Sequence, residues 1–217
     1  MSLNSLKSFA LITSIATLLL GGMSSANAYQ IYTTRAAWEA ALSGSTIITD
    51  TFSNTILSAQ SITLDSGIVS TNSIPPILPN AFNNNSVSGG VYNNATQAAD
   101  PSSTASEAIT WAFPSTHVFA FGADFFSTNV DGLTLIGNFD GAGNQTILVN
   151  NTIGGPDGFL GVIGMAKFDS IVFSNATTNV DAFSIDNASF AVPEPGTVVL
   201  VLVGGLGLLS SRRVKRS

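Results

Sequence analysis

The sequence predicts an all-β protein, an antiparallel, jelly-roll-like β-sandwich with one short N-terminal helix. From Glu107 onward, short runs rich in β-branched and aromatic residues follow one another at a spacing of roughly ten residues. The turns between these runs contain Gly, Asn and Asp, which favour tight reversals of the chain. Helical patterns do not alternate with the runs, so a parallel α/β sheet is not expected.

Nine segments are predicted as strands: 46–52, 61–65, 107–113, 117–126, 132–139, 145–150, 158–164, 168–174 and 181–192. In the third, Ile109, Trp111 and Phe113 alternate and so share one face. The fourth is apolar on both faces, which predicts a central strand covered on both sides. Its two predicted faces are Phe119, Phe121 and Phe125 on one side and Val118, Ala120 and Phe126 on the other.

Glycines inside three of these strand patterns predict bulges or bends of a curved sheet, because glycine weakens a regular strand. They are Gly122, Gly161 and Gly164.

The segment YQIYTTRAAWEAALSGS, which starts at Tyr29, predicts the helix. Thr33 or Thr34 is a suitable N-cap. The side chains of Trp38, Ala41 and Leu42 recur at helical spacing, and Gly44 ends the pattern. We expect this helix to pack on the edge or end of a sheet.

A long polar stretch, residues 72–106, separates the early strands from the later ones. It is rich in Asn, Ser, Thr and Gly and poor in large apolar residues, so it is predicted as a mobile loop with one short strand near Val91 and Tyr92. Such a loop either borders a binding surface or is a tolerated insertion, and the composition favours the insertion.

The first 28 residues predict a secretory signal peptide. A polar opening with Lys7 precedes an apolar stretch from Phe9 to Leu20, which is too short for a stable membrane span. Ala26 and Ala28 form an A-x-A pattern, so signal peptidase is expected to cut after Ala28. The alternative is an uncleaved N-terminal anchor.

The region that follows, residues 29–191, is expected to be one acidic domain of 163 residues. It contains two basic residues, Arg35 and Lys167, and twelve acidic ones, so its net charge is −10. Because such a surface repels phosphate backbones, no nucleic-acid partner is expected. The absence of cysteine excludes thiol catalysis, Cys-ligated zinc and iron–sulfur chemistry.

The sequence does not favour an enzyme. His117 is the single histidine, and no G-x-S-x-G motif supplies a nucleophilic serine. A glycosidase with two carboxylates stays open, although most of the acidic residues lie in turns, where Asp is favoured for turn geometry alone. We therefore predict no catalytic residues and no required cofactor.

Calcium is the one small ligand that the residues permit. It prefers oxygen ligands from Asp, Asn and backbone carbonyls on bent loops. The candidate ligands are Asp140, Asn144, Asp157 and Asp186. Turns closed by Asp and Asn side chains are the alternative explanation, and the spacing fits no EF-hand.

The C-terminal segment 192–217 has three parts. Val192, Pro193, Glu194 and Pro195 precede an apolar run of thirteen residues, from Thr197 to Leu209. As a helix this run would span about 20 Å, which is short for a hydrocarbon core of about 30 Å. A basic cluster, which predicts a cytoplasmic end, closes the chain: Arg212, Arg213, Lys215 and Arg216.

This order of parts resembles the PEP-CTERM sorting signal of exported proteins in Gram-negative bacteria and cyanobacteria. The resemblance implies recognition by an exosortase, cleavage near Pro193–Pro195, and a membrane helix that holds the protein before processing. It also implies an association with exopolysaccharide or biofilm. The plan of a β-sandwich that runs directly into the tail is similar to that of many PEP-CTERM surface proteins.

Two functions follow as expectations. The first is a non-enzymatic protein of the cell surface or extracellular matrix, which meets signal peptidase and exosortase during export. The second is a carbohydrate-binding module, with or without calcium, for which exposed aromatic side chains such as Tyr92 or Trp111 would have to line one face.

Overall fold

The computed structural model describes residues 29–73, 85–96, 108–115, 117–176 and 181–194. Over these ranges the chain forms thirteen strands and two short helices. They are β1 (Tyr29–Tyr32), α1 (Arg35–Ala41), β2 (Ser45–Asp50), β3 (Ser61–Thr63), β4 (Val69–Asn72), β5 (Ser86–Ser88), β6 (Val91–Thr96), β7 (Ile109–Ala112), β8 (Val118–Phe126), β9 (Leu133–Gly137), β10 (Gln145–Leu148), α2 (Val149–Ile153), β11 (Gly158–Phe168), β12 (Ser170–Asn175) and β13 (Asp181–Pro193).

The strands form two sheets, and every pairing is antiparallel, which confirms the all-β prediction. The first sheet has the order β1-β11-β8-β13-β6-β5. The long strand β13 pairs with β6 along its first half and with β2 along its second half. The second sheet has the order β10-β9-β12-β7-β4-β3.

Aromatic rings from both sheets fill the core between them. Trp111 of β7 lies at its centre, with its ring centroid 5.0 Å from that of Tyr92, 5.1 Å from that of Phe173 and 6.0 Å from that of Phe121. These contacts are edge-to-face, the geometry that aromatic quadrupoles favour. Ile109, Trp111 and Phe113 are all buried in this core, so the predicted inner face of β7 is confirmed.

The predicted faces of β8 are wrong at one end. Phe121 and Phe125 do point into the core between the sheets, but Val118 joins them, and Phe119 packs instead in a second cluster around Trp38. The pairing of β11 with β8 shifts register between Ile163 and Phe168, which interrupts strict alternation of side chains there.

Helix α1 packs on the outer face of the first sheet, not on the edge or end of a sheet as predicted. Its Trp38 is fully buried against Gly161 and Gly122, which face each other across β11 and β8. A Cβ atom on Gly161 would lie 2.4 Å from Cδ1 of Trp38. These two glycines therefore form a seat for the indole. Gly161 lies in regular pairing, so no bulge occurs there, whereas Gly122 pairs with Ser189 at the border of the β13 bulge and Gly164 lies in the irregular stretch of β11.

The asparagine-rich stretch contains more structure than the predicted loop. Beyond β4, which ends at Asn72, it forms β5 and β6, and the side chains of Asn72, Asn85 and Asn94 are buried. The Oδ1 atom of Asn85 accepts hydrogen bonds from Ser70 Oγ at 2.7 Å and from the Tyr92 hydroxyl at 3.1 Å. Asn94 Nδ2 donates to Asn72 Oδ1 at 2.9 Å. Because these groups satisfy one another, a polar sequence can enter the interior.

Candidate functional site

A polar recess lies at one end of the two-sheet stack. Its volume is about 360 Å³, and its lining residues come from the β9–β10 loop, the end of β11, and the turn into β12. They are Asn138, Asn144, Lys167, Phe168, Asp169 and Ser170. The recess is open to solvent on the side of Asn144, Lys167 and Asp169, whose side chains are exposed.

The β9–β10 loop that forms one wall is held by hydrogen bonds of its own side chains. Gln145 Oε1 accepts from the Phe139 backbone N–H at 2.7 Å, and Gln145 Nε2 donates to Asp140 Oδ1 at 2.6 Å. Asn138 Oδ1 accepts from the Gly143 backbone N–H at 3.1 Å. Gly143 has φ of 139°, a conformation that favours glycine. These hydrogen bonds hold the wall together.

Backbone contacts join this wall to the end of β11. The Phe139 carbonyl accepts hydrogen bonds from Met165 at 2.9 Å and from Ala166 at 3.1 Å. Phe168 forms the apolar base of the recess with 5% of its surface exposed. Its ring packs edge-to-face against that of Phe139, with 5.3 Å between centroids. The recess is therefore anchored to both sheets.

The rim carries one cation and one acid. Lys167 and Asp169 flank Phe168, and Ser170 Oγ donates to Asp169 Oδ1 at 3.0 Å. The β11–β8 ladder pairs Phe168 with Val118, so the next positions on the two strands, Asp169 and His117, lie at this same end. His117 is exposed there, beside the recess. The site offers donors and acceptors in a nearly neutral arrangement.

The calcium candidates do not converge. Asp140 and Asn144 share the β9–β10 loop, but Asp140 Oδ1 accepts from the Ala142 backbone N–H at 2.8 Å and so closes a turn. Asp157 accepts from Ser127 at 2.8 Å, near the other end of β11. Asp186 accepts from its neighbour Asn187 at 2.6 Å within the bulge of β13. Over the ranges that the structure describes, no three acidic, His or Cys side chains are grouped to hold a metal.

A second polar cluster, which the sequence did not indicate, lies on the outer face of the first sheet. Arg35 of α1 donates to Asp124 Oδ2 at 2.9 Å, to the Asn187 carbonyl at 2.8 Å and to Ser189 Oγ at 3.1 Å. Its guanidinium lies 4.8 Å from the centroid of the Phe159 ring. Since these partners occupy its donors, Arg35 fixes α1 to the sheet, and of the two cations in residues 29–191 only Lys167 offers its charge to a ligand.

At the opposite end from the recess, Asp181 is fully buried. Its Oδ2 atom accepts backbone N–H bonds from Asn129 and Leu133, each at 3.0 Å. Burial raises the pKa of this carboxyl from 3.8 to about 6, against the opposing effect of the two hydrogen bonds. Asp181 thus holds the β8–β9 loop in place through these two hydrogen bonds, and its carboxyl takes up a proton at about pH 6.

The aromatic side chains proposed from sequence for sugar stacking are not available. Tyr92 and Trp111 are both fully buried in the core, so the prediction that they line an exposed face is wrong. Alternation within a strand indicates that residues share a face, but it does not say whether the sheet is covered on that face.

The predicted sorting motif begins inside the fold. Val192 pairs with Thr46 and Pro193 with Ser45, as the last residues of β13, and Glu194 is exposed immediately after them. Strand β1 begins at Tyr29, the residue after the predicted signal-peptidase site. The two ends of the described domain lie at the end of the stack that carries the recess, because Tyr29 pairs with Gly164 near the end of β11 and Ala191 pairs with Ala120 near the start of β8.

The remaining predicted processing residues lie outside the residues that the structure describes. They are Ala26, Ala28, Pro195, Arg212, Arg213, Lys215 and Arg216. Neither of the two helices in the described ranges is long and apolar enough to cross a membrane.

No protein-family model matches the chain, and no curated protein or solved structure shows a significant match to it. Its function therefore has to be inferred from its own residues.

Proposed function

We propose that this chain is an exported, non-enzymatic protein of the cell surface or extracellular matrix of a Gram-negative-type bacterium. In this proposal a signal peptide directs export, and the C-terminal PEP-CTERM-like tail holds the jelly-roll-like domain in the membrane by a transmembrane helix. An exosortase then removes the tail, and the domain remains in the cell envelope or matrix, in association with exopolysaccharide.

The observation that carries the proposal is the junction between domain and tail. Strand β13 ends at Pro193, and the apolar run and basic cluster follow within 24 residues. Glu194 is exposed, so a protease can reach the bond after it without unfolding the domain. The order of motif, apolar run and bases resembles the PEP-CTERM signal, and the bases favour a cytoplasmic end for the apolar run.

The non-enzymatic part of the proposal is supported by how the acidic side chains are used. Asp124 and Asp186 are paired across β8 and β13, so they are two acidic residues on neighbouring strands, as a glycosidase pair would require. Asp124 Oδ2, however, accepts from Arg35 at 2.9 Å and from Asn187 Nδ2 at 3.2 Å. A carboxylate held in this way serves to position α1.

The intact mass of the protein, isolated from a host that encodes an exosortase, tests the proposal. We expect a mass that lacks the signal peptide and the residues after the Pro193–Pro195 motif. A variant with Pro193, Glu194 and Pro195 all replaced by Ala should keep its tail and remain in the membrane fraction. A wild-type mass that still contains residues 197–217 would contradict the proposal.

Glycan binding is a second candidate function, and the recess is the observation that favours it. The aromatic surface that the sequence indicates for sugar binding is buried, so this candidate depends on the recess alone.

A further inference from the structure

We propose that the recess lined by Asn138, Asn144, Lys167, Phe168, Asp169 and Ser170 binds one or two units of a neutral saccharide, directly and without a metal ion. This inference rests on the proposed function in one respect, that a matrix protein encounters polysaccharide. The lining residues of the recess supply all the other evidence for it.

The size of the recess sets the size of the ligand. Its volume of about 360 Å³ lies near the lower end of the range for small-molecule pockets, which is about 300–1,000 Å³. The exposed rim at Asn144 and Lys167 leaves one side open. A terminal sugar unit or a short segment of a chain can therefore enter, whereas a long stretch of polymer cannot lie inside.

The lining chemistry matches a polyhydroxylated ligand. Each sugar hydroxyl both donates and accepts hydrogen bonds. Asn138 and Asn144 offer amides with both capacities, Lys167 offers donors, and Asp169 offers acceptors. Phe168 adds a small apolar surface at the base, which suits the C–H face of a sugar ring.

The charges disfavour the other ligand classes. Lys167 repels a calcium ion, which also needs more carboxylate oxygens than Asp169 supplies. Asp169 opposes a phosphate or a uronate, and the acidic domain around it adds to that repulsion. One cation and one anion on the same rim leave a ligand without net charge as the best fit.

The recess is also rigid, which lowers the entropic cost of binding. The Gln145 and Asn138 hydrogen bonds fix the β9–β10 loop, and the Phe168 ring is packed against Phe139 and Phe113. The exposed side chains of Asn144, Lys167 and Asp169 are the ones that have to be ordered when a ligand enters.

Saturation-transfer difference NMR tests this proposal on the full chain in zwitterionic micelles, which carry no sugar headgroup. The probes are neutral disaccharides of glucose, galactose and mannose, with digalacturonate as the acidic comparison. We expect saturable transfer to at least one neutral disaccharide, weaker transfer to digalacturonate, and no change on addition of EDTA.

The double variant Asn144→Ala, Lys167→Ala removes two exposed side chains of the rim and should weaken binding about tenfold. Asn151→Ala, an exposed Asn at the opposite end of the stack, is the matched control and should bind as the wild type does. Three results would overturn the proposal: no saturable transfer to any neutral disaccharide, equal binding by the double variant, or loss of binding in EDTA. None of them bears on tail cleavage, which the intact mass decides separately.

Discussion

Asp181 shows how one buried side chain makes the stability of the domain depend on pH. In the folded state its carboxylate accepts hydrogen bonds from two backbone N–H groups of the β8–β9 loop, in place of the water that solvates it in the unfolded chain. Those bonds favour the charged form, but full burial disfavours it more strongly, so the pKa lies near 6. Between pH 4 and pH 6 the folded state then binds more protons than the unfolded state, and stability falls as the pH rises.

We predict that Asp181→Asn removes this pH dependence, because the amide oxygen can still accept both N–H bonds and carries no charge. At pH 7.5 the variant should gain stability relative to the wild type, by up to about 3 kcal/mol for a pKa difference of about two units. The gain should shrink as the pH falls towards 4. Urea unfolding at pH 4.5 and at pH 7.5 measures it.

Asp131→Asn is the control for that measurement, since Asp131 is an exposed acid of the same loop. It should follow the wild-type pH dependence. If Asp181→Asn and the wild type lose the same stability between pH 4.5 and pH 7.5, the assigned pKa is wrong.

Arg35 is the other residue whose role is defined by its partners. We predict that Arg35→Lys destabilises the domain by about 1–2 kcal/mol, because an ammonium cannot reproduce the flat three-way contact with Asp124, Asn187 and Ser189. Thermal unfolding measures this loss. Lys167→Ala, at the exposed rim of the recess, should leave the melting temperature unchanged, and equal effects of the two substitutions would contradict the anchoring role.

At the scale of elements, α1 depends on the two glycines beneath it. We predict that Gly161→Ala costs about 1–3 kcal/mol, because the new methyl group would lie 2.4 Å from the Trp38 ring and force it out of its seat. Tryptophan fluorescence should shift to the red as well. Gly155→Ala serves as the control, since no atom lies within 4 Å of the position that its new methyl group would take. An unchanged stability of Gly161→Ala would mean that α1 does not need the seat.

The elements also show what a sequence can and cannot predict. The strands after Glu107 were predictable because alternation and turn residues act over a few neighbouring positions. Strand β6 was predicted near Val91 and Tyr92, but its full length and its partner β5 were not. Asn85 and Asn94 are buried by partners such as Ser70 and Asn72 that lie elsewhere in the chain. Short β1 and helix α2 lack a periodic pattern long enough to detect.

The sequence alone does not indicate the recess, for a similar reason. Its walls come from positions 138–144 and 167–170, which come together because β9 pairs with β12 and because the Phe139 carbonyl accepts hydrogen bonds from Met165 and Ala166 of β11. Asn144 is the one lining residue that the sequence indicates as a ligand-binding residue, and there the predicted ligand is calcium. For Lys167 the sequence offers one indication of a binding role, which is that residues 29–191 contain only two basic side chains.

At the scale of the whole molecule, the end of the domain is sharply defined by β13. We predict that a chain of residues 29–194 folds, whereas one of residues 29–187 does not. The shorter chain loses the pairing of Ala188–Pro193 with β2, and with it the buried Phe190. Circular dichroism and cooperative thermal unfolding distinguish the two. A folded shorter chain would show that the first sheet does not need the second half of β13.

The central position of β13 has a mechanical consequence. If the processed C-terminus is joined to another molecule, tension acts on Glu194 along the axis of a strand that is paired on both sides, with β8 and with β2. The ladder hydrogen bonds run across that axis, so they are sheared together instead of opening one after another. The N-terminal strand β1 has four residues and is paired on one side with β11, so fewer hydrogen bonds would resist the same load there. An attachment at the processed C-terminus would therefore place the load on the end of the described domain at which its fold best resists being pulled apart.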